Sequence, residues 1–96
     1  MSDLIDRPGA MRFEQTVAAP DGGEARVWAD YAVHGSTRSL LHVEAEPALR
    51  GSGAAGRFMQ ALADHARAEG LTLAPRCGYA VAWFKRNPDQ GDVLAR

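Results

Sequence analysis

The chain has a single cysteine, Cys77, and therefore no internal disulfide. It has no excess of either charge: eleven basic side chains stand against twelve acidic ones, a formal net charge of −1. Proteins that bind nucleic acid or membrane surfaces usually carry a basic excess, so neither partner is expected. No stretch approaches the roughly 18 apolar residues needed to cross a bilayer. The opening MSDLIDRPGA carries two aspartates and lacks an apolar core of signal-peptide length. A cytoplasmic location is the expectation. His34, His42 and His65, with one cysteine, show no metal-ligand spacing, and no metal site is expected. Repeats and low-complexity tracts are also missing. At 96 residues there is no room for separate cofactor and substrate domains.

What is present reads as a short α/β (α+β) domain. Residues 1–10 are expected to form a flexible leader closed by Pro8-Gly9, with one domain over 11–96. RFEQTVA puts Phe13 and Val17 on one face of a strand, and the turn residues PDGG follow. From Glu24 to His34 the alternation is the clearest in the chain. Ala25, Val27, Ala29, Tyr31 and Val33 point one way, while Glu24, Arg26, Asp30 and His34 point the other. HGST turns the chain, and RSLLHVEAE alternates again. Leu41, Val43 and Ala45 are predicted on one face, and His42, Glu44 and Glu46 on the other. Three strands with short connections make an antiparallel meander.

After Pro47 the period changes. Ala55, Phe58 or Met59, Leu62 and Ala66 recur at three and four between Gly53 and Glu69, the pattern of an amphipathic helix stopped by Gly70. LTLAP reads as a short buried strand and Tyr79 to Arg86 as a second helix, ended by Asn87-Pro88.

Between the third strand and the first helix lies RGSGAAGRF, whose Gly51, Gly53 and Gly56 match G-x-G-x-x-G. A dinucleotide site needs this run after the first strand of a βαβ unit and an acidic residue about 20 positions on. Here it follows a meander, and the next strand ends in Ala74, Pro75 and Arg76, so that reading fails. A nucleoside-triphosphate loop needs Lys and Ser or Thr after the last glycine, and Arg57 and Phe58 stand there instead. Two readings stay open: a flexible strand-to-helix link, or an anion site built from the amides at the helix start, with Arg50 at its mouth.

RGSGAA also fits [RQ]-x-x-G-x-[GA], with Arg50, Gly53 and Ala55 in the defining places. In this the chain resembles the GNAT acyltransferase superfamily, and in particular its short single-domain N-acetyltransferase-like members. The likeness covers about half the chain: His42, Glu44, Pro47, Leu49 to Gly53, Pro75, Cys77, Lys85, Arg86 and Pro88 follow the order of that family's pattern. The resemblance implies a mixed, mostly antiparallel sheet with two main helices. It further implies acetyl-coenzyme A, whose pyrophosphate would be held by Arg50, Gly51, Ser52, Gly53, Ala54, Ala55 and Gly56. The implied function is acetyl-CoA-dependent N-acetylation of a small amine or a protein amino group. A non-catalytic acyl-CoA-binding or protein-interaction module of the same fold is the alternative. Either would act as a monomer or weak homodimer.

Acetyl transfer needs a neutral amine, a stabilised oxyanion and a proton for the leaving thiolate. Glu44 and His42 are the candidate bases, on the strand that leads into the loop, although polar residues on an open sheet face are commonly just solvated. Cys77 is the candidate nucleophile or acid, or else a small buried hydrophobe. The pattern departs in two places. Gly78 replaces the proline that often follows this cysteine, and Trp83 or Phe84 stands where relatives carry a tyrosine acid. Tyr79 could substitute for that acid but is read first as an aromatic packed under the sheet, and Lys85-Arg86 could meet the cofactor's 3′-phosphate but are read first as cations favouring the helix C-terminus.

Overall fold

The computed structural model describes residues 3–95. Five strands form one sheet in sequence order: β1 (Ile5–Arg7), β2 (Arg12–Ala18), β3 (Glu24–His34), β4 (Thr37–Ala45) and β5 (Thr72–Pro75). Neighbours run antiparallel except β4 and β5, which are parallel and joined by the crossover helix α1 (Ala54–Glu69). A second helix, α2 (Gly78–Arg86), follows β5. The sheet is thus mixed and mostly antiparallel with two main helices, the class expected. No helix among the described residues is long and apolar enough to cross a membrane.

The alternation seen in the sequence decides the core. Ala25, Val27, Ala29 and Tyr31 of β3 are buried, as are Phe13 and Val17 of β2. α1 adds Ala54, Phe58, Met59, Leu62, Ala63 and Ala66, a stripe at helical spacing that packs on this side. α2 contributes Ala80, Trp83 and Phe84 to the same cluster. The opposite side of the meander keeps Arg12, Glu14, Trp28, Asp30, His42 and Glu44 in reach of solvent.

Three expectations are corrected. Within residues 1–10, expected as a loose leader, Ile5–Arg7 pairs with β2 and Pro8–Ala10 makes a 3-10 turn. Asp6 holds the strand in place by accepting a 2.7 Å hydrogen bond from the Tyr31 hydroxyl. Leu41, expected in the core, is half exposed, because the β3–β4 register slips there. Asp30 pairs with His42 and Tyr31 with Leu40, leaving Leu41 as a one-residue bulge and Leu40 in the core. Val33, near the hairpin end, is 45% exposed. Past Asn87 the chain adds a 3-10 segment, Pro88–Val93, and a parallel bridge from Leu94 to Leu73. Arg67 of α1 ties that segment down through Asp92, at 2.7 and 2.8 Å.

Candidate functional site

β4 and β5 pair from Thr37 to Leu40 and from Thr72 to Pro75, flanked by hydrogen bonds from Thr72 N–H to Ser36 C=O and from Arg76 N–H to Leu40 C=O. β4 continues to Ala45 on its other side, against β3. From the Leu41 bulge onward, then, one edge of β4 has no strand partner among the described residues. β5 meanwhile turns away at Cys77 into α2. The two strands open like a hinge, and the opening leads along β4 toward the start of α1.

That start is built by glycine. Gly51 and Gly53 hold φ values of +77° and +79°, which a side chain adopts only with strain. Between them Ser52 folds inward: its Oγ donates to Leu49 C=O at 2.6 Å and accepts from Ala54 N–H at 3.2 Å. The first-turn amides of a helix have no carbonyl behind them. Ser52 satisfies one, and those of Gly53, Ala55 and Gly56 have no acceptor among the described residues. Arg57, a turn further on, reaches back to Ser52 C=O at 3.0 Å and lies over Gly53. Arg50 is exposed, and its guanidinium has no ion pair or hydrogen bond among the described residues. Free amides, a helix N-terminus and two flanking guanidiniums make a cradle that suits an anion.

Gly56 differs from the other two. It sits inside α1, and the space beside it is bounded by Tyr79 Oη and Trp83 Nε1, each 3.9 Å from where a Cβ would stand. Tyr79 is therefore not an aromatic tucked under the sheet, as expected, but 37% exposed at the mouth of the cradle. Burial pushes its hydroxyl pKa up, against the opposing pull of the nearby Arg86 charge. The sequence did carry a signal: Tyr79 and Trp83 are four apart and share one face of α2. Arg57 was missed in the same way, being four residues past Gly53.

Cys77 is the N-cap of α2. Its Sγ accepts from Ala80 N–H at 3.4 Å while the residue stays partly buried against the core. The bond from Arg76 to Leu40 sets it at the level where the strands part. His42 and Glu44 lie on β4 just past the bulge, His42 Nε2 standing 3.4 Å from Glu44 Oε2. Both side chains are more than half exposed. The structure thus gathers Arg50 through Gly56 into one cradle. His42 and Glu44 form a second group along β4, and Cys77 stands at the hinge between β4 and α2. Among the described residues no group of His, Cys, Asp and Glu could hold a metal.

A model of the GCN5-related N-acetyl-transferase family matches residues 12–93. The fold is similar to the NMR solution structure of a GCN5-like protein from Staphylococcus aureus. That match has a TM-score of 0.59 at 21% identity and covers 99% of this chain and 91% of that one. No curated protein matches the chain.

Proposed function

The chain belongs to the GCN5-related N-acetyltransferase family, and on that premise we propose that it binds acetyl-coenzyme A and transfers its acetyl group to an amine. The observation that carries the reading is the cradle at the start of α1. Two glycines at positive φ, three leftover amides and an unpaired Arg50 stand together at the end of an opened strand. These features suit a pyrophosphate better than a mere turn, which needs neither the arginine nor the bare amides. Arg50 and Gly51 to Gly56 would hold the diphosphate, with Arg57 and Tyr79 at its margin. The unpaired edge of β4 from Leu41 to Ala45 would receive the extended arm that leads to the thioester.

When bound, acetyl-coenzyme A supplies the activated acyl group. The protein's part is then to orient and to move protons. His42 and Glu44, as one acid–base pair, would take a proton from the incoming amine. Cys77, held at the first turn of α2, would face the reacting end, either giving a proton to the departing thiolate or acting as nucleophile.

One observation favours a second reading, an acyl-CoA-binding module without turnover. Trp83 and Phe84 are buried in α2 and leave no phenol at the place where relatives put an acid. Calorimetry with acetyl-CoA, with NADH as control, separates the possibilities. We expect micromolar binding of acetyl-CoA alone, about tenfold weaker in Arg50→Ala, the loss of one charge-assisted hydrogen bond. Cys77→Ala and Glu44→Gln should then slow acetyl transfer while leaving that affinity nearly intact. Absence of binding would mean that the glycines only turn the chain. Binding without turnover toward any amine would select the second reading.

A further inference from the structure

The acceptor amine is the part of this reaction that the proposed function leaves open, and an inference about it rests on the acyl-transfer reading. On the open face the register sets two cross-strand pairs side by side, Trp28 opposite Glu44 and Asp30 opposite His42. Residues so placed have Cβ atoms about 4.5–5.5 Å apart and act as neighbours. Arg12 faces Asp30 from β2. Its guanidinium lies 2.9 Å from the Asp30 carboxylate and 5.2 Å from the centroid of the Trp28 ring. The Trp28 ring thus already takes a cation from within the chain, flanked by a carboxylate.

Charge on the same face is not evenly matched. Glu14 has Arg7, Asp30 has Arg12 and Glu46 has Arg26 as partners. Among the described residues Glu44 has no arginine partner; its ion pair is with His42, and its side chain is 53% exposed. An ionised carboxylate has about four acceptor positions, so Glu44 keeps capacity for an incoming donor. It also belongs to the stretch of β4 whose edge is free, where the thioester arm would lie.

We propose that the acceptor is a primary alkylammonium, bound with its charge on Glu44 and its methylene arm along the Trp28 ring. Trp28 is then a specificity residue and Glu44 the anchor. The ammonium gives one proton to His42 Nε2, and the nitrogen lone pair forms a C–N bond to the thioester carbonyl carbon. As the C–S bond breaks, its electron pair leaves on sulfur. The departing thiolate takes the Cys77 proton and leaves as a thiol, Cys77 recovers the second N–H proton, and the proton on His42 passes to water.

The test uses the two indole N–H resonances of the intact protein in 15N spectra, with and without acetyl-CoA. Trp83 is buried away from this face and serves as the internal control. The probes are n-butylammonium, Nα-acetyl-lysinamide and, as the uncharged isostere, Nα-acetyl-norleucinamide. The Trp28 resonance should shift saturably with both ammonium probes, at millimolar affinity, and not with norleucinamide. Glu44→Gln, read on the Trp28 indole, and Trp28→Leu, read on the Glu44 backbone amide in the same spectra, should each weaken that binding about two- to fivefold, as expected for one exposed charge pair or the loss of one exposed apolar contact. Equal affinity for the two ammonium probes assigns recognition to the alkyl arm alone, and tighter binding of lysinamide assigns it to a peptide lysine. A Trp28 resonance that stays still, or moves equally with norleucinamide or in Glu44→Gln, overturns the proposal. Acetyl-CoA affinity measured in the same samples reports separately on acyl transfer. If it binds and the ammoniums do not, only the acceptor assignment falls.

Discussion

The loop glycines are not equivalent, and their difference has opposite signs for stability. Gly53 caps α1 at φ +79°, and a Cβ there would stand 3.1 Å from Arg57 Nη1. An L-residue in this left-handed region costs roughly 1–2 kcal/mol. The contact with Arg57 adds little, because the far end of an exposed side chain moves cheaply. Gly53→Ala should therefore destabilise by about 1–2 kcal/mol, a noticeable part of the 5–15 kcal/mol typical of a domain. Gly56 lies inside α1, and its nearest neighbours beyond the helix are at an ordinary 3.9 Å. Gly56→Ala should stabilise by about 0.5–1 kcal/mol, since glycine in a helix interior costs about that against alanine. Urea unfolding reads both. With a slope of about 1–3 kcal/mol/M, the midpoint should fall by roughly 0.5–1 M in the first variant and rise by a few tenths in the second. Acetyl-CoA titration of the same proteins should show weaker binding in both, because each methyl narrows the cradle. A neutral Gly53→Ala or a destabilised Gly56→Ala would refute this account of why the glycines are there.

Two further predictions concern pH. The Tyr31 pKa is pushed up to about 12, first by burial and then by its bond to Asp6, so the stability it contributes is full below the ordinary 10.0 and lost as pH rises through 12. Tyr31→Phe should cost about 1 kcal/mol at neutral pH and flatten that alkaline decline, measured as urea midpoints against pH. The Asp92 pKa is lowered, chiefly by its hydrogen bonds from Arg67, so its contribution is present above the ordinary carboxylate range and lost as pH falls through the depressed value. The stability gap between wild type and Asp92→Asn should therefore be small, salt-sensitive and closed by acid. A gap that persists below about pH 2 would assign the effect to packing instead.

The strands and helices were legible because each has one dominant period. β3, from Glu24 to His34, carries five alternating apolar positions, and α1 carries a stripe at three and four. β1 was not legible because three residues are too few to show a period. What fixes it is a contact across 25 residues, Asp6 with Tyr31, which no local pattern encodes. The segment after Asn87 is held in the same way, by Arg67 and by the Leu73–Leu94 bridge. At the candidate site the cradle was readable as a motif. Its rim was not, since Arg57, Tyr79 and Trp83 reach it from helix faces whose orientation depends on how α1 and α2 meet.

The Leu41 bulge shows how much one residue can decide. In an unbroken strand Leu40, His42 and Glu44 would share a face, because side chains alternate with period two. Leu40 would then leave the core or His42 and Glu44 would enter it, and burying an imidazole and a carboxylate among apolar side chains is costly. The extra residue lets β4 have both: Leu40 fully buried, His42 and Glu44 in solvent, and Val43 and Ala45 packed against the core. At the same point the pairing with β5 ends, so β4 gains a free edge beside the two polar residues. Sequence parity placed His42 and Glu44 on the right face but put Leu41 in the core, because a strand read from its far end hides where the count slips. The irregularity that defeated the pattern stands at the same residue where the pairing with β5 ends.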